Sequence, residues 1–213
     1  MQFNQHRHLE GKHAILSASS WYWLNDTTDD LVNRLRSKYA QSIGTILHSV
    51  AYKHIKYRIK LHKYDKNNVI LELLTNGIPV PVVESLDFDV MFENLMIYVN
   101  DCIGFRMEPE VVLCYSENFF GTTDAIAYSE RERFLRIHDY KSGVTEASVN
   151  QLMVYAALFC LEYGIKPGNI STELRIYQNN EVGIWQPSVD ELVPVIDKIV
   201  TFDKFLTNIN EEV

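Results

Sequence analysis

Apolar residues recur at helical spacing between Leu31 and Ile55, through Leu35, Ile43, Ile46, Leu47, Val50 and Ala51, and predict a long helix. Before it, Ser17, Ser19 and Ser20 precede the aromatic cluster Trp21, Tyr22 and Trp23, a hydroxyl-rich stretch of the kind that opens a helix. From His54 to Tyr64 the period changes to two. Ile55, Tyr57, Ile59 and Leu61 alternate with Lys56, Arg58, Lys60 and His62, which predicts a half-buried strand overlapping the helix tail. Phe88, Met91, Phe92, Leu95, Met96 and Val99 restore helical spacing over residues 86–105.

After Pro109 the chain reads as short strands at 110–116, 119–129 and 133–143, the last two joined by a polar Ser129–Arg133 connection. Residues 146–164 form a helix that is apolar on nearly every face and ends at Gly164, so it belongs against a sheet. Strands follow at 170–178 and 181–186. An amphipathic helix closes the chain at 188–209, capped by Ser188 or Asp190, and it tolerates Pro194 only in its first turn. The expected fold is α/β: an α-β-β-β-α-β core with a mixed central sheet and helices on both faces. No repeat, low-complexity stretch or linker interrupts the chain. One domain is expected over 1–213, with an N-terminal helical part at about 16–105, a core at about 86–186 and the C-terminal helix at about 188–209.

Composition refines this picture without redirecting it. Twenty Lys and Arg against 28 Asp and Glu leave a net charge of −8, which argues against polyanion binding by the surface at large. A nucleic-acid site would need a local basic groove or metal ions of its own. No apolar run is long enough to span a membrane and the first residues lack an apolar leader, so a cytoplasmic protein is expected. Cys102, Cys114 and Cys160 have no metal-ligand spacing and read as free thiols. His6, His8 and His13 form a loose cluster without the framework of a metal site, and read as a flexible segment.

The candidate chemistry lies between Gly121 and Gly143. Asp124 closes a Gly-Thr-Thr turn, and Asp139 and Lys141 stand two apart on the next strand, hence on one face. If the two strands pair, the carboxylates meet with the ammonium beside them. Two buried carboxylates repel, and a divalent hard cation with oxygen ligands compensates that charge. An ammonium beside metal-bound water suits phosphodiester hydrolysis. Asp-x-Lys alone is a weak signal, because most charged residues are simply exposed.

The ordered set GTTDAI, LRIHDYKSG and QLMVYAAL, preceded by GTILHSV, resembles the RecB-type exonuclease branch of the PD-(D/E)XK nuclease superfamily. The likeness is good over 110–158 and loose over 16–55. It implies a restriction-endonuclease-like fold and a DNA nuclease using Mg²⁺ or Mn²⁺. By that resemblance Asp124 and Asp139 are metal ligands with the Tyr140 carbonyl, Lys141 is the catalytic lysine, and His48 is a further ligand of a type that suits Mn²⁺. Gln151 and Tyr155, one turn apart on a helix, contact the substrate backbone or support the catalytic strand. Glu110 matches an acidic position and is either an extra ligand or a group behind the ligands. Some members hold an iron–sulfur cluster on four cysteines; with three, this chain is expected to hold none.

Lys53, Lys56, Arg58 and Lys60, with Lys63, Lys66 and interleaved tyrosines, are the expected substrate-binding positions; equally, they read as a solvated face. The expected substrate is linear DNA, single- or double-stranded, in recombination, repair or genome degradation, and the small size suits a phage-encoded enzyme. A homo-oligomer or a recombination partner protein fits the same reading. Two alternatives stand beside it: a catalytically silent DNA-binding or assembly subunit, and an RNA endonuclease with a His-Asp-Asp-Lys site.

Overall fold

The computed structural model describes residues 4–11, 14–143 and 145–212; His13 lies outside them. The chain divides into two compact units, 1–42 and 43–213. In the first, the serine-rich stretch forms a 3-10 helix, Ala18–Asn25, kinked at Ser20, and the Trp23 indole N–H donates to the Ser17 carbonyl at 2.8 Å. The regular helix starts later, at α1 (Thr28–Lys56). Its start is a reciprocal cap: the Thr27 amide donates to the Asp30 carboxylate at 2.8 Å, and the Asp30 amide to the Thr27 hydroxyl at 3.3 Å. Arg34 pairs with Asp26 in the same unit.

The second unit carries the rest of α1 from Ile43, then α2 (Lys66–Thr75), α3 (Val80–Glu84), α4 (Phe88–Gly104), β1 (Glu108–Ser116), β2 (Phe119–Ser129), β3 (Phe134–Tyr140), α5 (Asn150–Glu162), β4 (Ser171–Gln178), β5 (Glu181–Trp185) and α6 (Val189–Glu212). The five strands form one open mixed sheet in the order β1-β2-β3-β4-β5. Only β3 and β4 pair in parallel, and the α5 crossover joins them. The turn between β4 and β5 is Asn179-Asn180, both at positive φ (52° and 59°), the geometry that matches the twist of a two-residue hairpin.

Strand alternation puts a helix layer on each face. Ile126, Leu135, Ile137, Leu174 and Ile176 pack with Leu152, Ala156 and Phe159 of α5 and Leu192 and Ile199 of α6. The intervening residues Tyr140 and Tyr177 meet Tyr98 of α4, and the Tyr177 hydroxyl donates to Asp101 at 2.8 Å. Among the described residues no helix is long and apolar enough to cross a membrane.

Three expectations need correction. The strand at 54–64 does not form: α1 runs to Lys56, Arg58 turns left-handed (φ 57°), and Tyr57 and Ile59 are 71% and 56% exposed. Helix termination explains it. The Arg58 amide donates to the Ile55 carbonyl and the Ile59 amide to that of His54, a Schellman closure that uses the same residues whose alternation imitates a strand. Pro194 is the sixth residue of α6, beyond the first turn; the Ser188 amide and hydroxyl both donate to Glu191 at 2.8 Å and set the helix start. Residues 66–84, for which no element is expected, hold α2 and α3.

The same closure ends α2 at Gly77, α4 at Arg106 and α5 at Gly164, all at positive φ. A side chain in this conformation costs about 1–2 kcal/mol. Arg106→Gly should therefore raise the melting temperature by about 2–4 °C. Arg58→Gly should not, because the Arg58 guanidinium donates to the Met107 carbonyl and to Glu108, each at 2.7 Å. A thermal melt of both variants checks this.

Candidate functional site

The β2–β3 hairpin sets the acids. Its register pairs Ala125 with His138 and Ile126 with Ile137, so one step further (125 − 1 and 138 + 1) Asp124 stands opposite Asp139. Both lie on the face that α5 covers. The Asp124 Oδ2 accepts the Tyr140 amide at 3.0 Å, tying the end of β2 to β3. Asp139 is only 2% exposed. Lys141 Nζ lies 3.2 Å from its Oδ1 and 3.0 Å from its Oδ2, yet Oδ2 receives no well-directed hydrogen bond, so a buried carboxylate oxygen is left with acceptor capacity.

From Lys141 a chain of hydrogen bonds runs to α5 and back to β2. Lys141 Nζ donates to Gln151 Oε1 at 3.2 Å, Gln151 Nε2 donates to the Tyr155 hydroxyl at 3.2 Å, and that hydroxyl donates to the Thr122 carbonyl at 2.6 Å. Each group has one consistent role, so Gln151 and Tyr155 orient the lysine. The Tyr155 ring lies against Gly121, where an added Cβ would stand 2.9 Å from Cε1. Gly121→Ala should displace the ring and break the Tyr155–Thr122 hydrogen bond, lowering the melting temperature by about 2–4 °C for a loss of about 1 kcal/mol. Gly104→Ala, on open space, should leave it unchanged. Thermal melts of the two variants test the point.

α1 supplies the last member. His48 Nδ1 lies 3.4 Å from Asp124 Oδ2, and its ring meets Tyr140 edge to face at 5.6 Å. One turn earlier, Gly44 faces Ser142, whose hydroxyl would be 3.2 Å from an added Cβ, so the missing side chain lets α1 approach the end of β3. Glu110 sits at left-handed φ (51°) inside β1, a strained conformation for a non-glycine residue. Its charge acts on both His48 and Asp124.

Electrostatics follow from burial. Asp139 is pushed up to about 6, first by burial and then by the Asp124 charge, while Lys141 pulls it down. Burial also raises Asp124 against the pull of the Tyr140 amide. Burial lowers His48, which favours neutral imidazole with a free lone pair. Among the described residues no three His, Cys, Asp or Glu side chains are already gathered around one point. The donor set nonetheless fits a hard divalent ion: two carboxylates, one with an unsatisfied oxygen, and a neutral imidazole beside them.

The structure therefore brings together His48, Asp124, Asp139, Tyr140, Lys141, Gln151 and Tyr155, with Glu110 at the rim. The basic positions behave differently. Lys53 pairs with Glu72 at 3.1 Å and Arg58 with Glu108, both intramolecular, while Lys56 and Lys60 are exposed past His48 along and beyond α1. One supporting residue has no signature in the sequence. Gln178, at the end of β4, donates through Nε2 to the carbonyls of Gly143 and Thr145 and accepts the Ala147 amide at 3.1 Å. It fixes the segment between Lys141 and Gln151. A preference for such a clamp exists only once β3 and β4 are side by side.

Residues 13–204 match the model of a family described as "Protein of unknown function (DUF2800)". The chain belongs to the DUF2800 family. No curated protein and no solved structure matches it.

Proposed function

We propose that this DUF2800 protein is a divalent-metal-dependent DNA nuclease with a restriction-endonuclease-like core, an exonuclease of RecB type. The observation that carries the reading is the pairing of Asp124 with Asp139 across β2 and β3, with Lys141 against one acid and His48 against the other. His48, Asp124, Asp139 and the Tyr140 carbonyl would hold Mg²⁺ or Mn²⁺, with Glu110 beside them. When bound, the ion neutralises charge developing on the phosphate and acidifies its water.

The protein's own groups do the remainder. Lys141, held by Asp139 and Gln151, presents an ammonium to the scissile phosphate and to the attacking water. Tyr155 and Gln151 keep that ammonium in place without competing for it, because Gln151 offers only its carbonyl oxygen. Neutral His48, beside Asp124, would offer its lone pair to a cation and adds no repulsion to it. The mixed carboxylate, imidazole and ammonium set is suited to phosphodiester hydrolysis and gives no nucleophilic serine or cysteine a role.

The test is incubation of the purified chain with end-labelled linear double- and single-stranded DNA, and with RNA of the same sequence, in Mg²⁺, Mn²⁺ or EDTA. The expected result is metal-dependent loss of DNA from its ends, abolished by EDTA. Tight DNA binding without turnover in any metal would support a silent subunit, and cleavage confined to RNA would support the RNA endonuclease; either result rejects the proposal.

A further inference from the structure

The two edges of the sheet are treated differently. The β1 edge is closed to further pairing by several devices: Pro109 lacks an N–H, Glu110 is left-handed, the register slips between Cys114 and Ser116, and the Cys114 amide donates to Glu162 at 2.8 Å. These are the means by which sheets avoid adding strands. The β5 edge carries none of them. Its sequence Glu-Val-Gly-Ile-Trp has no proline or lysine, and among the described strands it pairs only with β4. Val182 and Ile184 are 36% and 52% exposed on one face. On the other face the Trp185 indole lies over Gly183, which has no side chain to obstruct it.

Trp185 also joins two grooves along this edge. One, of about 430 Å³, has Met153, Val154 and Val195 in its wall. The other, of about 480 Å³, has Ile176 and Gly183. Among the described residues, every charged residue lining them is acidic: Asp190 and Glu191 in the first, Glu146 and Glu181 in the second. An apolar floor with an acidic rim beside an open strand edge selects the occupant. A second copy paired antiparallel through β5 would bring the Glu181 end of each strand to the Trp185 end of the other, setting Glu146 and Glu181 near Asp190 and Glu191 twice over. Like charges so placed disfavour self-pairing.

We propose that β5 is a docking edge for an extended segment of a partner protein in which apolar and basic residues alternate, added as a sixth strand. Main-chain hydrogen bonds to β5 supply the attachment. Apolar side chains on one face of the segment meet Val182 and Ile184, and the lysines or arginines that alternate with them face Trp185 and the acidic rim. This surface is independent of the nuclease proposal, since it uses none of the side chains proposed to hold the ion or to act on the phosphate.

The test uses the full chain and a short, capped, fluorescent peptide in which lysine alternates with valine, followed by fluorescence anisotropy. Saturable binding is expected, weakened about tenfold or more by the double change Glu181→Lys and Asp190→Lys, by glutamate in place of the peptide's lysines, and by N-methylation of alternate peptide amides. Circular dichroism melts confirm that the double variant folds. Absence of binding, equal binding of the glutamate peptide, or undiminished binding of the N-methylated peptide would overturn the proposal. So would light scattering that finds a dimer through this edge, because the occupant would then be a second copy.

Discussion

Asp139→Ala and Lys141→Ala are each expected to reduce metal-dependent DNA cleavage by about 10³-fold or more, with folding retained. Asp139 would provide charge compensation for the ion, and Lys141 the ammonium held against that acid. Groups that act as one unit lose most of their effect when any member is removed, so the double variant should be little worse than either single one. Gln151→Ala should cost less, about tenfold to a hundredfold, because Lys141 keeps its contact with Asp139. Single-turnover rates on end-labelled DNA in Mn²⁺ measure all four. Wild-type rates in Lys141→Ala would remove the lysine from the chemistry.

Asp139→Asn is expected to make the metal-free protein more stable at neutral pH, although it destroys the site. The folded carboxyl titrates at about 6, against 3.8 for the unperturbed group. Between those values the folded chain holds more protons than the unfolded one, so stability falls as pH rises through the window and the deficit is complete above it. A shift of that size corresponds to on the order of 3 kcal/mol, with the pull of the Lys141 ammonium already contained in it. The asparagine should raise the melting temperature in EDTA by about 6–12 °C at pH 7.5, with the difference nearly vanishing near pH 4. Mn²⁺ should stabilise the wild type and not the variant. Scanning fluorimetry at the two pH values decides the matter, and a less stable variant at pH 7.5 would contradict the account of burial.

Much of the second unit is legible in the sequence because its signals are local. The strands, the two-residue gap between Gln178 and Glu181, and the apolar helix ending at Gly164 follow from period and turn chemistry. The opposition of Asp124 and Asp139 follows too, since a hairpin fixes register over a short span. What escapes has a physical cause in each case. Gly164 announces a left-handed helix end, but Arg58 and Arg106 adopt the same conformation without a glycine to mark it. The alternation around Arg58 then reads as a strand when it is the last turn of a helix and its closure. The Thr27–Asp30 cap is encoded at the right spacing, yet the neighbouring serines give an equally strong start signal and form only a 3-10 helix. Gln178 and Glu162 act on backbone groups far away in sequence, where no local pattern reports them.

The order in which the site's parts occur along the chain has a consequence for its biosynthesis. Both acids leave the ribosome within one hairpin, but Gln151, Tyr155 and the β4 strand whose Tyr177 carbonyl holds the Lys141 amide at 3.0 Å come afterwards. A nascent polypeptide that has emerged only as far as Lys141 has every proposed ligand but lacks the Gln151 contact that completes the hold on its ammonium. On the proposed function, translation would deliver a dormant protein whose competence comes last, when the crossover helix and the strand beyond it have come into place.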